Sequence, residues 1–186
     1  CWAWAVRKDS RGRLLAAALL FGLMVVTKPQ NVVFLGAFIL AAVVDRLTLR
    51  RARPIYWWLP LIVSLAMFLL WRDVPALLQV DSAAMHESGW DAIRLQAMCG
   101  VFHPECILQN ARTLASTVTP LLAVMGMALA AQRWRRSEAP WALILPFCFC
   151  VVGATWFIFG SIGWLRYGFP LLALASLFVA SLVVEG

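Results

Sequence analysis

Acidic side chains are scarce in this chain of 186 residues, which has nine Asp and Glu against sixteen Lys and Arg. In a soluble protein, the net charge of +7 would suggest a nucleic-acid partner. Here the basic residues form short clusters between long apolar runs, an arrangement typical of charges that orient a membrane protein. We therefore expect membrane lipids as partners and no nucleic acid.

Charged residues and histidine are missing from two of the apolar runs, 113–131 and 141–159. A transporter or channel would favour ionisable residues in mid-span, so their absence argues against that class. A transporter fragment is kept as an alternative. The two histidines, His86 and His103, lie outside every run. A cofactor bound through histidine is therefore not expected, and no other cofactor is predicted.

We expect no signal peptide, because no n-region with a cleavage site precedes the first span. It begins at Cys1 rather than Met, and it stops directly after its last apolar run, at Glu185 and Gly186. We interpret it as an internal or C-terminal fragment of a longer protein.

Hydrophobic residues make up 63% of the sequence, above the roughly 45–50% of soluble domains. Their arrangement in runs predicts an all-α, polytopic transmembrane helix bundle of about six spans. The runs are 14–27, 31–44, 55–71, 113–131, 141–159 and 167–184. We treat 1–186 as a single transmembrane domain, in which Tyr56, Trp57 and Trp58 open the third span as an interfacial aromatic belt.

The first two runs, 14–27 and 31–44, are short for spans. Fourteen helical residues extend about 21 Å, whereas a hydrocarbon core is about 30 Å thick. The runs form either one helix broken at Pro29 or a tight hairpin of two short spans with Lys28 at its turn. The hairpin is favoured, because of the basic residues around it.

Eleven of the sixteen basic residues fall into three clusters: Arg7, Lys8, Arg11 and Arg13; Arg46, Arg50, Arg51 and Arg53; Arg133, Arg135 and Arg136. The hairpin places all three clusters on one side, which their excess marks as cytoplasmic. The broken helix would separate the first cluster from the second. Lys28, an outer loop at 72–112 and the segment 160–166 then lie on the other side.

The outer loop 72–112 contains a short amphipathic helix, predicted from apolar residues at helical spacing around Trp90. It lies either on the membrane surface or against the protein's own spans. Cys99 and Cys106 lie close together in this loop, and an oxidising outer compartment favours a disulfide between them. A zinc site begun by Cys99, His103 and Cys106 is the weaker alternative, and no metal is expected. Cys148 and Cys150, inside an apolar run, are predicted to be small core residues.

Basic groups at the outer ends of spans are frequently functional, although they also anchor to lipid headgroups. Lys28 lies at the hairpin turn, and Arg166 and Tyr167 lie where the last span begins. An Arg fork, a Lys point charge and a Tyr hydroxyl suit a lipid-linked phosphate.

Two stretches around these residues, LFGLMVVTKPQ at 20–30 and GWLRYGFPLL at 163–172, resemble segments of a known family. The chain is similar to the polytopic C-type (GT-C) membrane glycosyltransferases, which include relatives of the protein O-mannosyltransferases and the aminoarabinose transferases. The resemblance implies transfer of a sugar from a polyprenyl-phosphate donor to an acceptor on the extracytoplasmic face, with Lys28, Arg166 and Tyr167 on the donor-phosphate side. The acceptor is unknown.

The family's acidic catalytic residue lies in an early outer loop, for which this chain has no matching segment. The catalytic residue is therefore unknown, and no such role is assigned to the four acids that the sequence offers nearby, Asp73, Asp81, Glu87 and Asp91. We expect an integral protein of a bacterial inner membrane. Ten tryptophans, apolar spans and an incomplete active site also fit a structural transmembrane subunit of a larger complex, and this alternative stays open.

Overall fold

The computed structural model describes Val6 and residues 8–27, 29–48, 53–77, 103–117, 120–134, 141–161 and 171–180. Within these ranges the chain forms α-helices and one 3₁₀ segment, and no strand. The all-α class is therefore confirmed. In chain order the helices are α1 Arg11–Thr27, α2 Leu35–Thr48, α3 Ile55–Leu77, α4 Pro104–Thr117, α5 Pro120–Trp134, α6 Trp141–Gly160 and α7 Leu171–Ala180, with the 3₁₀ segment Pro29–Phe34 before α2.

The chain divides into two compact units, each of which is described by itself. The first comprises Cys1–Leu78 and Ala131–Cys148, and the second comprises Gln79–Ala130 and Phe149–Gly186.

In the first unit, the chain reverses direction between α1 and α2. The side-chain amide of Asn31 donates a hydrogen bond of 3.0 Å to a carbonyl in the last two turns of α1. The rings of Phe21 and Phe38 meet edge to face, with centroids 4.8 Å apart. Arg53, just before α3, forms an ion pair with Asp9, just before α1. A single broken helix would carry the chain away from its start, so these contacts favour the reversal over the broken helix. That the two helices of the hairpin are membrane spans stays a prediction.

Helix α1 packs against α3 through small residues. Its buried positions are Leu14, Ala17, Ala18, Gly22 and Val25. Its large exposed positions are Leu15, Leu19, Leu20 and Leu23. At Gly22, a Cβ would collide with the side chain of Met67 on α3. The absence of a side chain at this position therefore allows the two helices to approach closely.

In the second unit, α5 and α7 come together at a glycine. A Cβ on Gly126 would lie 2.8 Å from the carbonyl carbon of Phe178 and still closer to its oxygen. Helix α7 buries Leu171, Ala175 and Phe178, which recur at helical spacing on one face. The contact therefore joins α5 to the buried face of α7, backbone against backbone.

The predicted span 113–131 is divided between α4 and α5. Pro120 is the first residue of α5 and does not lie inside a helix. Proline disfavours helical backbone at the residue before it and suits the first helical position, where its missing N–H costs nothing. A helix boundary at this proline follows from both properties.

The predicted connection 72–112 is helical at both ends, because α3 extends to Leu77 and α4 begins at Pro104. Pro104 in the first helical position and Glu105 in the first turn are start signals for α4. The amphipathic helix predicted around Trp90 lies outside the described residues.

In the described part of the chain, one helix is long and apolar enough to cross a membrane: α6, over Leu143–Gly160. These 18 residues extend about 27 Å. Two further apolar stretches, Ile55–Trp71 and Leu171–Ala180, are shorter. Cys148 and Cys150 are both buried in α6, so their predicted place in the core is confirmed.

Candidate functional site

The predicted donor-site residues Lys28, Arg166 and Tyr167 lie outside the described residues. Thr27 ends α1 and Pro29 begins the 3₁₀ segment, so the residues on either side of Lys28 belong to the hairpin reversal.

The predicted disulfide falls half inside the described residues. Cys106, in the first turn of α4, is a half-buried free thiol, whereas Cys99 lies outside them. The predicted Cys99–Cys106 bond is therefore not formed in this structure, and its formation in an oxidising compartment stays a prediction. His103, the third residue of the alternative zinc site, is exposed directly before α4.

A polar cluster joins the starts of α1 and α3 in the first unit. Asp9 has a φ of 48°, a left-handed conformation that Asp adopts more readily than most residues. Its N–H donates to the carbonyl of Val6 at 3.3 Å, closing a turn. Arg53 Nη1 lies 3.0 Å from Asp9 Oδ2, and the Tyr56 hydroxyl donates a short hydrogen bond to Asp9 Oδ1. One carboxylate thus ties the start of α1 to the start of α3, through two side chains that lie 44 and 47 residues further along the chain.

Tyr56, Trp57 and Trp58 do not form a common aromatic belt. Tyr56 is 7% exposed and Trp57 is 2% exposed, whereas Trp58 is 45% exposed. Successive residues on a helix point about 100° apart, so three in a row cannot share one face. The interfacial interpretation is therefore wrong for Tyr56 and Trp57, which belong to the interior.

A cavity of about 400 Å³ opens beside this cluster, between the end of α2 and the start of α3. This volume lies in the usual range for ligand pockets. Its lining is Ile39, Ala42, Val43, Asp45, Arg46, Leu47, Pro54, Trp57 and Trp58. Of the two charged residues in the lining, Asp45 is 5% exposed, whereas Arg46 is exposed. The lining is otherwise apolar.

The polar cluster around Asp9 and the cavity beside it suit ligand binding better than catalysis. Asp9 already accepts from Arg53 and Tyr56, so its carboxylate is engaged in holding the helices. Among the residues that the structure describes, no three His, Cys, Asp or Glu side chains cluster as metal ligands would. The cavity offers a mainly apolar volume whose lining also contains one acid, Asp45, and one base, Arg46.

Asn110 is a buried polar residue that the sequence analysis did not single out. It is 4% exposed, and its Nδ2 lies 3.2 Å from the carbonyls of Phe157 and Ile158 and 2.8 Å from that of Ser161. The last four carbonyls of a helix have no partner within it, and Asn110 serves two of those in α6. The sequence did not indicate this role, because Asn110 lies in the stretch 72–112, which the sequence predicts to be a loop.

Comparisons of the chain with protein families, with characterised proteins and with solved structures find no match. Its function is therefore argued from its own residues.

We expect Tyr56→Phe to destabilise the first unit by about 1.5–3 kcal/mol, because it removes a hydrogen bond to a charged acceptor from a buried donor. Arg53→Gln should cost at most about 1 kcal/mol, because Arg53 and Asp9 are exposed side chains. Denaturant titration in detergent measures both losses. In an Asp9→Asn background the loss caused by Tyr56→Phe should shrink. An undiminished loss would show that the phenol acts through packing alone.

Proposed function

We propose that this chain is part of a polytopic membrane glycosyltransferase that uses a polyprenyl-phosphate sugar donor, with about six spans in a bacterial inner membrane. The sequence resemblance at 20–30 and 163–172 supports the reaction class. The observation that carries most weight is the reversal between α1 and α2. It puts the basic residues at one end of the first unit and the stretch at 20–30 at the opposite end.

One end of this unit holds the starts of α1 and α3 and the end of α2. It includes Arg11, Arg13, Arg46 and Arg53, and the ion pair to Asp9 joins its parts. The excess of basic residues marks such an end as cytoplasmic. The opposite end holds the reversal, which contains the stretch at 20–30. This is the extracytoplasmic side, where the related enzymes bind their donor.

The packing of α1 supports a membrane setting for this unit. The helix buries alanines and a glycine and exposes leucines. In water, large exposed apolar patches are avoided, whereas helices in lipid place small residues at their contacts with other helices. The exposed leucines of α1 would meet lipid tails.

The donor chemistry requires cations where negative charge develops on the departing phosphate. Lys28 would contribute a point charge, Arg166 a bidentate fork and Tyr167 a hydroxyl donor. Their roles rest on the sequence, since all three lie outside the described residues. No residue of this chain is assigned as the catalytic acid or base.

A donor-binding measurement tests the proposal. We expect the protein in lipid nanodiscs to bind a short-chain polyprenyl phosphate, and Lys28→Ala and Arg166→Ala each to weaken binding by about tenfold or more, as loss of a charge-assisted hydrogen bond does. Lys8→Ala, which removes a basic residue at the other end of α1, is the matched control. Equal effects of Lys8→Ala and Lys28→Ala would contradict the site. No binding by the unaltered protein would favour the structural-subunit alternative.

A further inference from the structure

Helix α4 has three sides that differ in exposure and in polarity. Positions three or four apart on a helix share a side, and the side that meets the protein includes the buried Asn110. A second side is exposed and polar, and it consists of Glu105, Gln109, Arg112 and Ser116. A third side is apolar, and it consists of the exposed Pro104, Leu108 and Ala115 and the half-buried Ile107, Ala111 and Leu114. Such a division is typical of helices that lie on a membrane surface.

The contacts of Asn110 place α4 at the end of α6. The side-chain amide donates to three carbonyls in the last turn of α6 and just after it, those of Phe157, Ile158 and Ser161. In the described part of the chain, α6 is the one helix that is long and apolar enough to cross a membrane. The end of a spanning helix lies at the boundary between hydrocarbon and water. These hydrogen bonds therefore hold the middle of α4 at that boundary.

The length of the polar side indicates how α4 is oriented there. A helix that entered the hydrocarbon from one end would carry its polar residues at that end. In α4 they extend from Glu105 in the first turn to Ser116 in the last turn. A charged side chain inside the bilayer is costly, and Glu105 and Arg112 lie on either side of Asn110. Both charges stay at the surface only when the helix lies along it.

We propose that α4 lies in the plane of the membrane surface at which α6 ends, with its apolar side against acyl chains and its polar side in water. The partner is the lipid surface, and α4 is not one of the spans. The hydrogen bonds of Asn110 fasten the helix to α6 and so set its depth. The inference goes beyond the proposed function: it rests on the membrane setting, but not on sugar transfer or on a donor site.

Spin labels on α4, in protein reconstituted into liposomes, test this placement. Each label is attached to a single introduced cysteine, after the five native cysteines have been replaced by alanine. We expect labels at Leu108→Cys and Ala115→Cys to collide more with oxygen, which dissolves in lipid, than with a water-soluble nickel complex. They should lie about 5–10 Å below the headgroup boundary. Gln109→Cys and Ser116→Cys, the matched variants on the polar side, should collide more with the nickel complex.

Val151→Cys supplies the reference, because Val151 is an exposed residue near the middle of the apolar stretch Leu143–Gly160. A label in lipid at Val151, with labels in water at Leu108 and Ala115, would overturn the placement of α4 alone. A label in water at Val151 would overturn the membrane setting, and the proposed function with it. Labels at Leu108 and Ala115 that reach neither reagent would show that protein covers this side, which also overturns the placement.

A second measurement leaves the native cysteines in place, and it decides the question where the alanine replacements reduce helix content by circular dichroism. A photoreactive amino acid is introduced in place of Leu108 or, as the control, in place of Gln109. We expect lipid adducts from the first position and few from the second. Equal yields at the two positions would contradict the proposal.

Discussion

Asn110→Asp should destabilise the second unit by about 3–5 kcal/mol, the range for a buried charge left without a partner. The substitution preserves the shape of the side chain but replaces an amide donor with a carboxylate. That carboxylate would face the carbonyls of Phe157, Ile158 and Ser161, at the negative end of the α6 dipole. Denaturant titration of the protein in detergent, followed by circular dichroism, measures the loss.

Gln109→Glu is the matched control, since it makes the same chemical change one residue earlier on the exposed face of α4. Its effect should stay within about 0.5 kcal/mol. Asn110→Leu removes the donor without adding charge and should cost about 1–3 kcal/mol. Lowering the pH protonates the introduced carboxylate, so part of the Asn110→Asp loss should be recovered in acid. A loss no larger than that of Asn110→Leu would contradict the electrostatic explanation.

Gly126→Ala should destabilise the same unit by about 1–3 kcal/mol, as overpacking typically does. The added methyl group would collide with the backbone carbonyl of Phe178. A backbone carbonyl cannot turn away as the end of a flexible side chain can, so α5 and α7 must separate. Thermal unfolding of the purified protein in detergent measures the loss.

Gly12→Ala makes the identical change where a Cβ meets nothing within 4 Å. Because alanine restricts the unfolded chain more than glycine does, this variant should be stabilised by about 0.4–1 kcal/mol. Gly22→Ala should fall between the two, because it meets the movable side chain of Met67. The same small effect at Gly12 and Gly126 would show that the close approach of α5 and α7 is not a constraint.

The helices with apolar runs could be predicted from the sequence, because long hydrophobic stretches favour helices. Which of their residues are buried could not, since α1 exposes four of its leucines. The reversal at Pro29 was also predictable, since only a hairpin gathers the basic clusters at one end. The burial of Tyr56 was not predictable, because its partner Asp9 lies 47 residues away and no local pattern connects them. Nor was the role of Asn110, whose acceptors lie on another helix.

The donor-site prediction depended on short motifs, and the cavity beside Arg46 could not be foreseen at all. A cavity arises from the shape that α2 and α3 leave between them, whereas hydropathy records only which residues avoid water. In the sequence, Arg46 belongs to a basic cluster whose expected role is only to orient the protein in the membrane. Its place in the cavity lining, with Leu47 and Trp58, follows only from the three-dimensional structure.

The contact of Asp9 with Arg53 and Tyr56 limits when the helices can be joined during synthesis of the chain. Asp9 leaves the ribosome well before the residues that will neutralise it, because Arg53 follows 44 positions later. During that interval α1 and α2 must keep their hairpin with what they already contain, the Asn31 amide on α1 and the edge-to-face pair of Phe21 and Phe38. The first two helices can thus form as a pair before α3 is made, and α3 then fastens the pair through Arg53 and Tyr56.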